Sequence, residues 1–162
     1  MSHLIREFED ADLEAVVAFS LEAWAPVFAS LEAALTPDVF GRMYPDWRSA
    51  QATAVTATCT APEHDVWVAV VEGRLVGFVA VGLIDEDATR AGEIHMIAVD
   101  PGYQGIGVAV SLMDRAIAHI KAQGVDLAVV GTGGDPGHAP ARGLYEKFDF
   151  NPLPLVRYYR TL

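Results

Sequence analysis

Hydrophobic residues along the chain follow two periods, one typical of strands and one typical of helices, and together they predict a mixed α/β fold. Residues His3 to Phe8 predict a first strand, and Asp10 can cap the helix that follows. The apolar positions of that helix keep the 3.6-residue period (Leu13, Val16, Val17, Leu21 and Trp24). Between Pro26 and Pro62 the pattern weakens and predicts one or two short helices with loops.

The second half of the chain alternates strands with helices. Strands are predicted at residues 65–71, 75–84, 93–99 and 127–132, with a tight turn at Glu72 and Gly73. An amphipathic helix ends at Gly124, and its apolar face consists of Ala109, Leu112, Met113, Ala116, Ile117 and Ile120. A further helix is predicted from about Pro140 to Phe148, and a last strand from Leu155 to Arg160.

Length and composition fit one cytoplasmic domain. The chain has 162 residues, of which 52% are hydrophobic and 20% charged, so one folded core is expected over residues 1–162. No run reaches the ~18 uninterrupted apolar residues of a membrane-spanning helix, and the first ten residues lack the pattern of a signal peptide. The sequence therefore predicts a cytoplasmic protein.

Charge and metal-ligand content exclude several function classes. A formal net charge of -11 repels nucleic acid backbones and anionic lipid, so neither partner is expected. The single cysteine, Cys59, excludes an intrachain disulfide and a cysteine-rich metal site. The five histidines show no metal-ligand spacing, so no metal is expected. Any catalysis must then use organic side chains and the backbone.

The segment VDPGYQGIGVAVSLM, residues 99–113, carries a glycine-bearing loop between a strand and a helix. Glycines let backbone N–H groups approach a ligand, and the helix start adds unsatisfied donors and partial positive charge. The pattern indicates an anion site. It is not a dinucleotide fingerprint, because Val110 stands where a glycine is required, and it lacks the Gly-Lys-Ser or Gly-Lys-Thr of a Walker loop.

Two motifs resemble those of the GCN5-related N-acetyltransferase family. The acyl-CoA signature Q/R-x-x-G-x-G/A is matched by Gln104, Gly107 and Ala109. A downstream N-x-x-A-x-x-L-Y-E-x-x-G-F pattern is matched by His138, Ala141, Leu144, Tyr145, Glu146, Asp149 and Phe150, with His138 and Asp149 departing from it. The resemblance implies an acyl-CoA N-acyltransferase fold with a central mixed, mostly antiparallel sheet flanked by helices.

The same resemblance implies how the co-substrate, acetyl-CoA, is held. The CoA pyrophosphate would meet the backbone of Gln104, Gly105, Ile106, Gly107, Val108 and Ala109. The pantetheine arm would lie along the strand at Ile97, Ala98 and Val99, and His138 would alter its surroundings where the family has asparagine. Asp149 replaces the family's glycine, and we expect it to adopt a left-handed backbone conformation.

Proton transfer has several candidate residues. The resemblance implies that Tyr145 faces the CoA sulfur and that Glu93, at the start of its strand, removes the amine proton. His95 shares the side of the sheet with Glu93 and is a rival base, as are Asp85 and Glu86. An acetyl-cysteine route through Cys59 is not favoured, because this residue lies outside both motifs.

The predicted function is direct acetyl transfer from acetyl-CoA to an amine. The alternatives are a non-catalytic acyl-CoA sensor and an acyltransferase with a longer acyl group or an alcohol acceptor. Four aromatics between Pro26 and Pro62 are either plain core or the wall of a substrate pocket (Phe28, Phe40, Tyr44 and Trp47). The resemblance implies that the acceptor side is lined by Trp24, Phe28, Tyr44 and Trp47, which would suit a partly apolar amine or a peptide N-terminus. The family is often dimeric, so a homodimer is also considered.

Overall fold

The computed structural model describes residues 2–162, which form a five-stranded sheet with helices on both faces. The strands are β1 (Leu4–Glu7), β2 (His64–Val71), β3 (Arg74–Glu86), β4 (Thr89–Val99) and β5 (Ala128–Val130). The helices are α1 (Leu13–Ala34), α2 (Pro37–Met43), α3 (Trp47–Thr60), α4 (Val108–Ala122) and α5 (Ala139–Lys147). One-turn 3₁₀ helices occupy Asp10–Asp12, Pro101–Tyr103 and Pro136–His138.

The sheet has the order β1-β2-β3-β4-β5. Its first three pairings are antiparallel, and β5 joins β4 in parallel through residues 92–94 and 128–130. The mixed, mostly antiparallel sheet flanked by helices is therefore confirmed. The parallel contact is short, and β4 runs on beyond it without β5 beside it.

Two apolar clusters cover the two faces of the sheet. The face toward α4 and α5 buries Val79, Val81 and Ile94 against Leu112 and Met113. The opposite face, toward α1 and α3, buries Val68, Phe78 and Ala80 against Val16 and Val55. Because strand side chains alternate between faces, β3 supplies both clusters. Asp149 has φ of 60°, so its expected left-handed conformation is confirmed.

The first helix is longer than predicted and passes through Pro26 without ending. A proline removes one helical hydrogen bond, but Phe28, two residues further on, is buried and holds the helix on the fold. By length and composition alone, Asp10–Ala34 is long and apolar enough to span a membrane. Its buried Val16, Phe19 and Phe28 make it a core helix of this fold.

Three other boundaries differ from the sequence prediction. Helix α3 spans 14 residues where the sequence predicted only one or two short helices with loops, and β4 begins at Thr89, so Glu93 lies inside the strand. The predicted strand from Leu155 to Arg160 is wrong, because residues 151–162 pair with no strand within the described range 2–162. A strand pattern needs a neighbouring strand to bond, and none is beside this segment.

Gly92 keeps α4 close to the sheet. A Cβ added there would lie 2.5 Å from the Ile120 Cγ2 atom, closer than real contacts allow. We expect Gly92→Ala to lower the free energy of unfolding by about 1–3 kcal/mol, because the added methyl overpacks this contact. Denaturant unfolding measures the loss. Ile120→Ala removes the Cγ1 and Cγ2 atoms that meet the added methyl, so the loss in the double variant should be smaller than the sum of the two single losses. An unchanged midpoint would contradict the close packing.

Candidate active site

One cavity of about 760 Å³ brings both sequence motifs together. It lies between β4, the start of α4, the end of β5 and α5, with α1 closing one side. The residues predicted for the cofactor that line it are Ile97, Ala98, Val99, Gln104, Gly105, Gly107, Ala109, His138 and Tyr145. Ile106 and Val108 do not line it. Val108 is 1% exposed and packs into the core, so only its backbone faces the loop.

The loop before α4 has the backbone geometry of an anion site. Gly105 and Gly107 adopt positive φ angles of 79° and 91°, which strain any residue with a Cβ. Gly107 is the N-cap and supplies no side-chain hydrogen bond, and the first turn carries no acidic residue. The N–H groups at the start of α4 therefore retain unsatisfied donor capacity and partial positive charge.

Polar contacts hold this loop in place. The Gln104 side chain donates to the Val99 carbonyl at 3.1 Å, and Asp100 Oδ1 accepts from the Gly102 N–H at 2.9 Å. Gln104 thus ties the loop to the end of β4. The Gln104 side chain therefore stabilises the conformation of the loop. The free backbone N–H donors are those of the residues that follow Gln104.

His3 also reaches this region, which spacing along the chain did not indicate. Its Nε2 lies 2.6 Å from Ser111 Oγ on the first turns of α4, and its Nδ1 is buried without a hydrogen-bond partner among residues 2–162. Only the pairing of β1 with β2 brings residue 3 next to residue 111. No sequence motif carries that information.

A β-bulge shapes β4 at the cavity. Ala80 pairs with Met96 and Val81 with Ile94, so His95 is an extra residue without a partner on β3. Beyond this bulge β5 no longer pairs with β4. Residues 95–99 consequently present an unpaired backbone edge to the cavity, facing Val130, Gly131 and Thr132 across it.

Of the four candidate bases, only His95 lines the cavity. His95 lines the cavity, and its Nδ1 lies 3.3 Å from Glu93 Oε2, which confirms that the two share one side of the sheet. The His64 ring lies 4.6 Å from the His95 ring. Glu93 itself is outside the cavity lining. Asp85 and Glu86 lie at the β3–β4 hairpin, where Asp85 binds Arg90 at 2.9 Å, away from the cavity.

Tyr145 stands at the meeting point of α5 and β4. Its ring packs edge-on against Phe150 at 6.2 Å, and the residue is 9% exposed while lining the cavity. Burial raises the pKa of Tyr145 to about 12. The phenol therefore keeps its proton through the neutral range and can act as a hydrogen-bond donor.

His138 is the N-cap residue just before α5, and it pairs with Asp135. Its Nδ1 contacts Asp135 Oδ1, and the Gly137 N–H donates to Ser30 Oγ at 2.9 Å, which joins this turn to α1. Burial raises the pKa of Asp135, but hydrogen bonds from Ser30 and His138 outweigh it and lower the pKa overall. The carboxylate thus stays ionised and fixes the imidazole beside the cavity.

The aromatic residues divide between core and cavity wall. Trp24 lines the cavity from α1. Phe28 stacks on Trp47 at 4.4 Å and meets Tyr44 edge-on at 5.3 Å, so these three form a packed cluster outside the cavity lining. Cys59 is likewise outside it, and burial raises the pKa of its thiol to about 11, which disfavours a thiolate nucleophile.

Known proteins with the same fold share this arrangement of elements. A point mutant of the BH1408 protein from Bacillus halodurans matches with a TM-score of 0.71 and 16% identity, covering 98% of this chain and 99% of that one. The aminoglycoside N-acetyltransferase AAC(6')-Iy, in complex with a bisubstrate analogue of CoA and acetylneamine, matches with a TM-score of 0.68 and 17% identity over 100% and 99% of the two chains.

A relative found by sequence is also named an acetyltransferase. The mycothiol acetyltransferase of Propionibacterium freudenreichii subsp. shermanii is 33% identical over 120 residues, which are 74% of this chain and 34% of that protein. The chain thus spans about a third of the length of this curated relative. The model of the acetyltransferase (GNAT) family matches residues 28–150, which include both motifs and the cavity lining apart from its α1 residues Ala23, Trp24, Pro26 and Val27. The chain belongs to the GNAT family of acetyltransferases.

Proposed function

We propose that the protein transfers an acetyl group from acetyl-CoA directly to a primary amine. The observation that carries this proposal is the placement of free backbone donors, a buried phenol and a histidine–glutamate pair around one cavity. The family and the complex of the aminoglycoside enzyme with a CoA-based bisubstrate analogue support it. Residues 1–162 would act as one domain, without a metal.

The start of α4 would hold the pyrophosphate of CoA. We assign pyrophosphate binding to the backbone N–H groups of residues 105–109. These include the N–H groups of Ile106 and Val108, although neither residue lines the cavity. Apart from residues 104–106 themselves, no heavy atom of residues 2–162 lies within 4 Å of the position that a Gly105 Cβ would take, so there is room for a ligand against the loop. A net charge of -11 opposes the approach of a polyanion, and this local array offsets that repulsion. Lys147 adds a cation to the cavity wall.

The unpaired edge of β4 would hold the pantetheine arm. Ile97, Ala98 and Val99 lie in this edge, and the His138 side of α5 faces it across the cavity. An extended ligand can bond such an edge as an added strand does. That arrangement would direct the thioester toward the bulge at His95 and toward Tyr145.

We assign proton removal to His95 and its positioning to Glu93. The Nδ1 of His95 can donate to Glu93, which leaves Nε2 as the acceptor for a proton from the attacking amine. This refines the sequence-based prediction, which gave the base role to Glu93, because His95 lines the cavity and Glu93 does not. His95 takes one proton from the ammonium form of the acceptor, so that the neutral amine can attack the acyl carbonyl. As the N–C bond forms and the C–S bond breaks, the nitrogen releases its second proton to solvent.

Tyr145 would stabilise the departing sulfur by a hydrogen bond. Bound acetyl-CoA supplies an activated acyl carbonyl whose C–S bond breaks to release a thiolate. With a phenol pKa of about 12 against about 8.5 for an ordinary thiol, full proton transfer is uphill by about 5 kcal/mol. Donation of a hydrogen bond needs no such transfer, so the thiolate can take its proton from solvent after leaving.

A panel of amines incubated with acetyl-CoA tests the function. Peptide N-termini, amino sugars and aryl-alkyl amines should be compared by free thiol release and by mass spectrometry of the acetylated product. At least one amine should give both signals in proportion. Tight acetyl-CoA binding without transfer to any amine would favour the non-catalytic sensor. Faster transfer to an alcohol, or from a longer acyl-CoA, would favour an acyltransferase with an alcohol acceptor or a longer acyl group.

Trp24, Val27 and Met96 line the cavity and suit an acceptor with an apolar portion next to its amine. We also propose that the protein works in the cytoplasm without nucleic acid or membrane partners. The strongly acidic charge supports this, because it repels both kinds of anionic partner.

A further inference from the structure

The proposed acetyl transfer leaves one carboxylate–imidazole pair of the cavity without a role. His138 lines the cavity, and its Nδ1 contacts Asp135 Oδ1. The side chains of His138 and Asp135 are 20% and 11% exposed. The Nε2 of His138 has no hydrogen-bond partner among residues 2–162 and is not one of their buried, unpartnered polar atoms. It is therefore open to a ligand in the cavity.

The loop before α5 is shaped around this pair. A Cβ added at Gly133 would lie 2.5 Å from the His138 Nδ1, closer than real contacts allow, so glycine lets the imidazole pack there. Arg142 Nη1 donates to the carbonyls of Gly133 and Asp135 at 2.7 and 2.8 Å. The Gly137 N–H donates to Asp135 Oδ2 at 3.1 Å. These contacts fix the carboxylate, and the carboxylate fixes the imidazole.

The carboxylate decides which ring nitrogen exchanges a proton. An ionised carboxylate against Nδ1 holds the Nδ1 proton on the ring, so Nε2 is the atom that gives or takes a proton. Glu93 and His95 form the same kind of pair on β4. The cavity therefore carries two imidazoles, one on β4 and one before α5, each held by a carboxylate. Removal of a proton from the acceptor ammonium needs only one of them.

The departing sulfur is the reacting atom that still lacks a proton donor. Tyr145 has a pKa of about 12, which makes it a weaker acid than an ordinary thiol with a pKa of about 8.5. An ordinary imidazolium, with a pKa of about 6.5, is a stronger acid than the thiol, so its proton passes to a thiolate downhill. His138 and Tyr145 are about two helical turns apart, so they share one side of α5, and both line the cavity.

The other charged or titratable side chains around the cavity suit this role less well. Those that line it are His95, Tyr103 and Lys147. Ordinary phenols and ammonium groups are weaker acids than a thiol, and His95 already takes the proton of the amine. Arg142 keeps its charge and binds the loop through backbone carbonyls. His138 is therefore the donor of suitable acidity on the Tyr145 side of the cavity.

We propose that His138 is the general acid that protonates the departing sulfur, and that Asp135 is its positioning residue. The inference rests on the proposed acetyl transfer. As the C–S bond breaks, its electron pair stays on sulfur and takes the Nε2 proton of His138, which leaves the CoA thiol and a neutral imidazole. His138 then regains a proton from solvent. The nitrogen loses two protons and the sulfur gains one, so each turnover releases one proton.

An acyl donor with a more acidic leaving group tests the acid role. A selenol is a stronger acid than a thiol, so the selenoester analogue of acetyl-CoA depends less on a proton donor. In single-turnover transfer, His138→Asn should slow the thioester at least about tenfold and the selenoester less than about threefold. His95→Gln should slow both donors equally, because it acts on the amine. His119→Gln, from a histidine–aspartate pair outside the cavity, should slow neither. Equal losses with both donors in a folded His138→Asn protein would overturn the acid role.

Two neighbouring glycines give a matched pair of variants that leave His138 itself in place. Gly133→Ala crowds the His138 ring, whereas a Cβ at Gly134 meets no heavy atom of residues 2–162 within 4 Å apart from its chain neighbours. Gly133→Ala should show the same thioester-selective loss, and Gly134→Ala should keep the wild-type rates. Asp135→Asn should show this selectivity with a smaller loss than His138→Asn. Wild-type rates in folded Gly133→Ala and Asp135→Asn proteins would overturn the role of the pair.

A binding experiment without an acceptor separates this inference from the proposed function. CoA and desulfo-CoA differ only in the sulfur atom, so nitrogen NMR of the histidine rings in the two complexes reports which ring the sulfur meets. The His138 signals should shift between the complexes, and the His119 signals should coincide. Unshifted His138 signals would overturn the inference even where amines are acetylated. Shifted His138 signals without transfer to any amine would contradict the proposed function and keep the contact of His138 with sulfur.

Discussion

Replacing Tyr145 by phenylalanine is expected to lower turnover about ten- to a thousandfold, the range for loss of one donor to charge that develops in the transition state. The ring packs on Phe150 and lines the core, and phenylalanine keeps that packing, so fold and acetyl-CoA affinity should change little. Single-turnover rates of acetyl transfer measure the effect where chemistry is limiting. Tyr44→Phe is the control, because Tyr44 packs in the cluster with Phe28 outside the cavity.

The raised pKa of Tyr145 gives this prediction a second readout. A group with a pKa of about 12 remains protonated throughout the working pH range, so no loss of activity between about pH 7 and 10 should come from its ionisation. Spectroscopic titration of the tyrosines in wild type and in Tyr145→Phe should differ only in the component that ionises last. Wild-type turnover in a folded Tyr145→Phe protein would remove the phenol from the mechanism.

Replacing His95 by glutamine is expected to slow transfer by about 100- to 10,000-fold at pH values where the acceptor amine is mostly protonated. The loss should shrink as pH rises, because free amine then needs no base. Glu93→Gln should show the same pH trend with a smaller loss, since it acts through the Nδ1 of His95. His119→Gln is the matched control, as His119 binds Asp65 at 2.7 Å outside the cavity.

The two variants also separate alternative assignments. A larger loss in Glu93→Gln than in His95→Gln would return the base role to the carboxylate. Equal losses across the whole pH range in both would indicate that the pair only supports the bulge in β4. Either pattern is visible in the pH dependence of the transfer rate with one good acceptor.

Local signals in the sequence were sufficient for most of the fold. Hydrophobic residues follow a clear helical period in α4 and a clear strand period in β2 to β4. The glycine loop precedes α4 as predicted. The motif around Tyr145 was likewise readable, because a helix puts Ala141, Leu144 and Tyr145 on adjacent positions of one face. These features depend on residues close together in the chain.

Features that depend on distant pairing were missed or misread. The bulge at His95 arises from the register of β3 against β4, and the closure of the cavity by Trp24 arises from how α1 crosses the sheet. Helix α1 continues through Pro26 because burial beyond it outweighs a lost hydrogen bond. Residues 155–160 have a strand pattern, yet they pair with no strand among the described residues 2–162.

Calorimetric titration of acetyl-CoA into a pair of Val110 variants tests the central claim, that the start of α4 binds the CoA pyrophosphate. Val110 is 39% exposed on the first turn of α4 and lines the cavity. Val110→Gln and Val110→Glu differ by one charge, and an acidic residue at this helix end favours the fold, so both should be stable. The glutamate should weaken binding at least about tenfold relative to the glutamine by repelling the pyrophosphate, and less so in high salt. Equal affinities in two folded variants would contradict the assignment of the cofactor site.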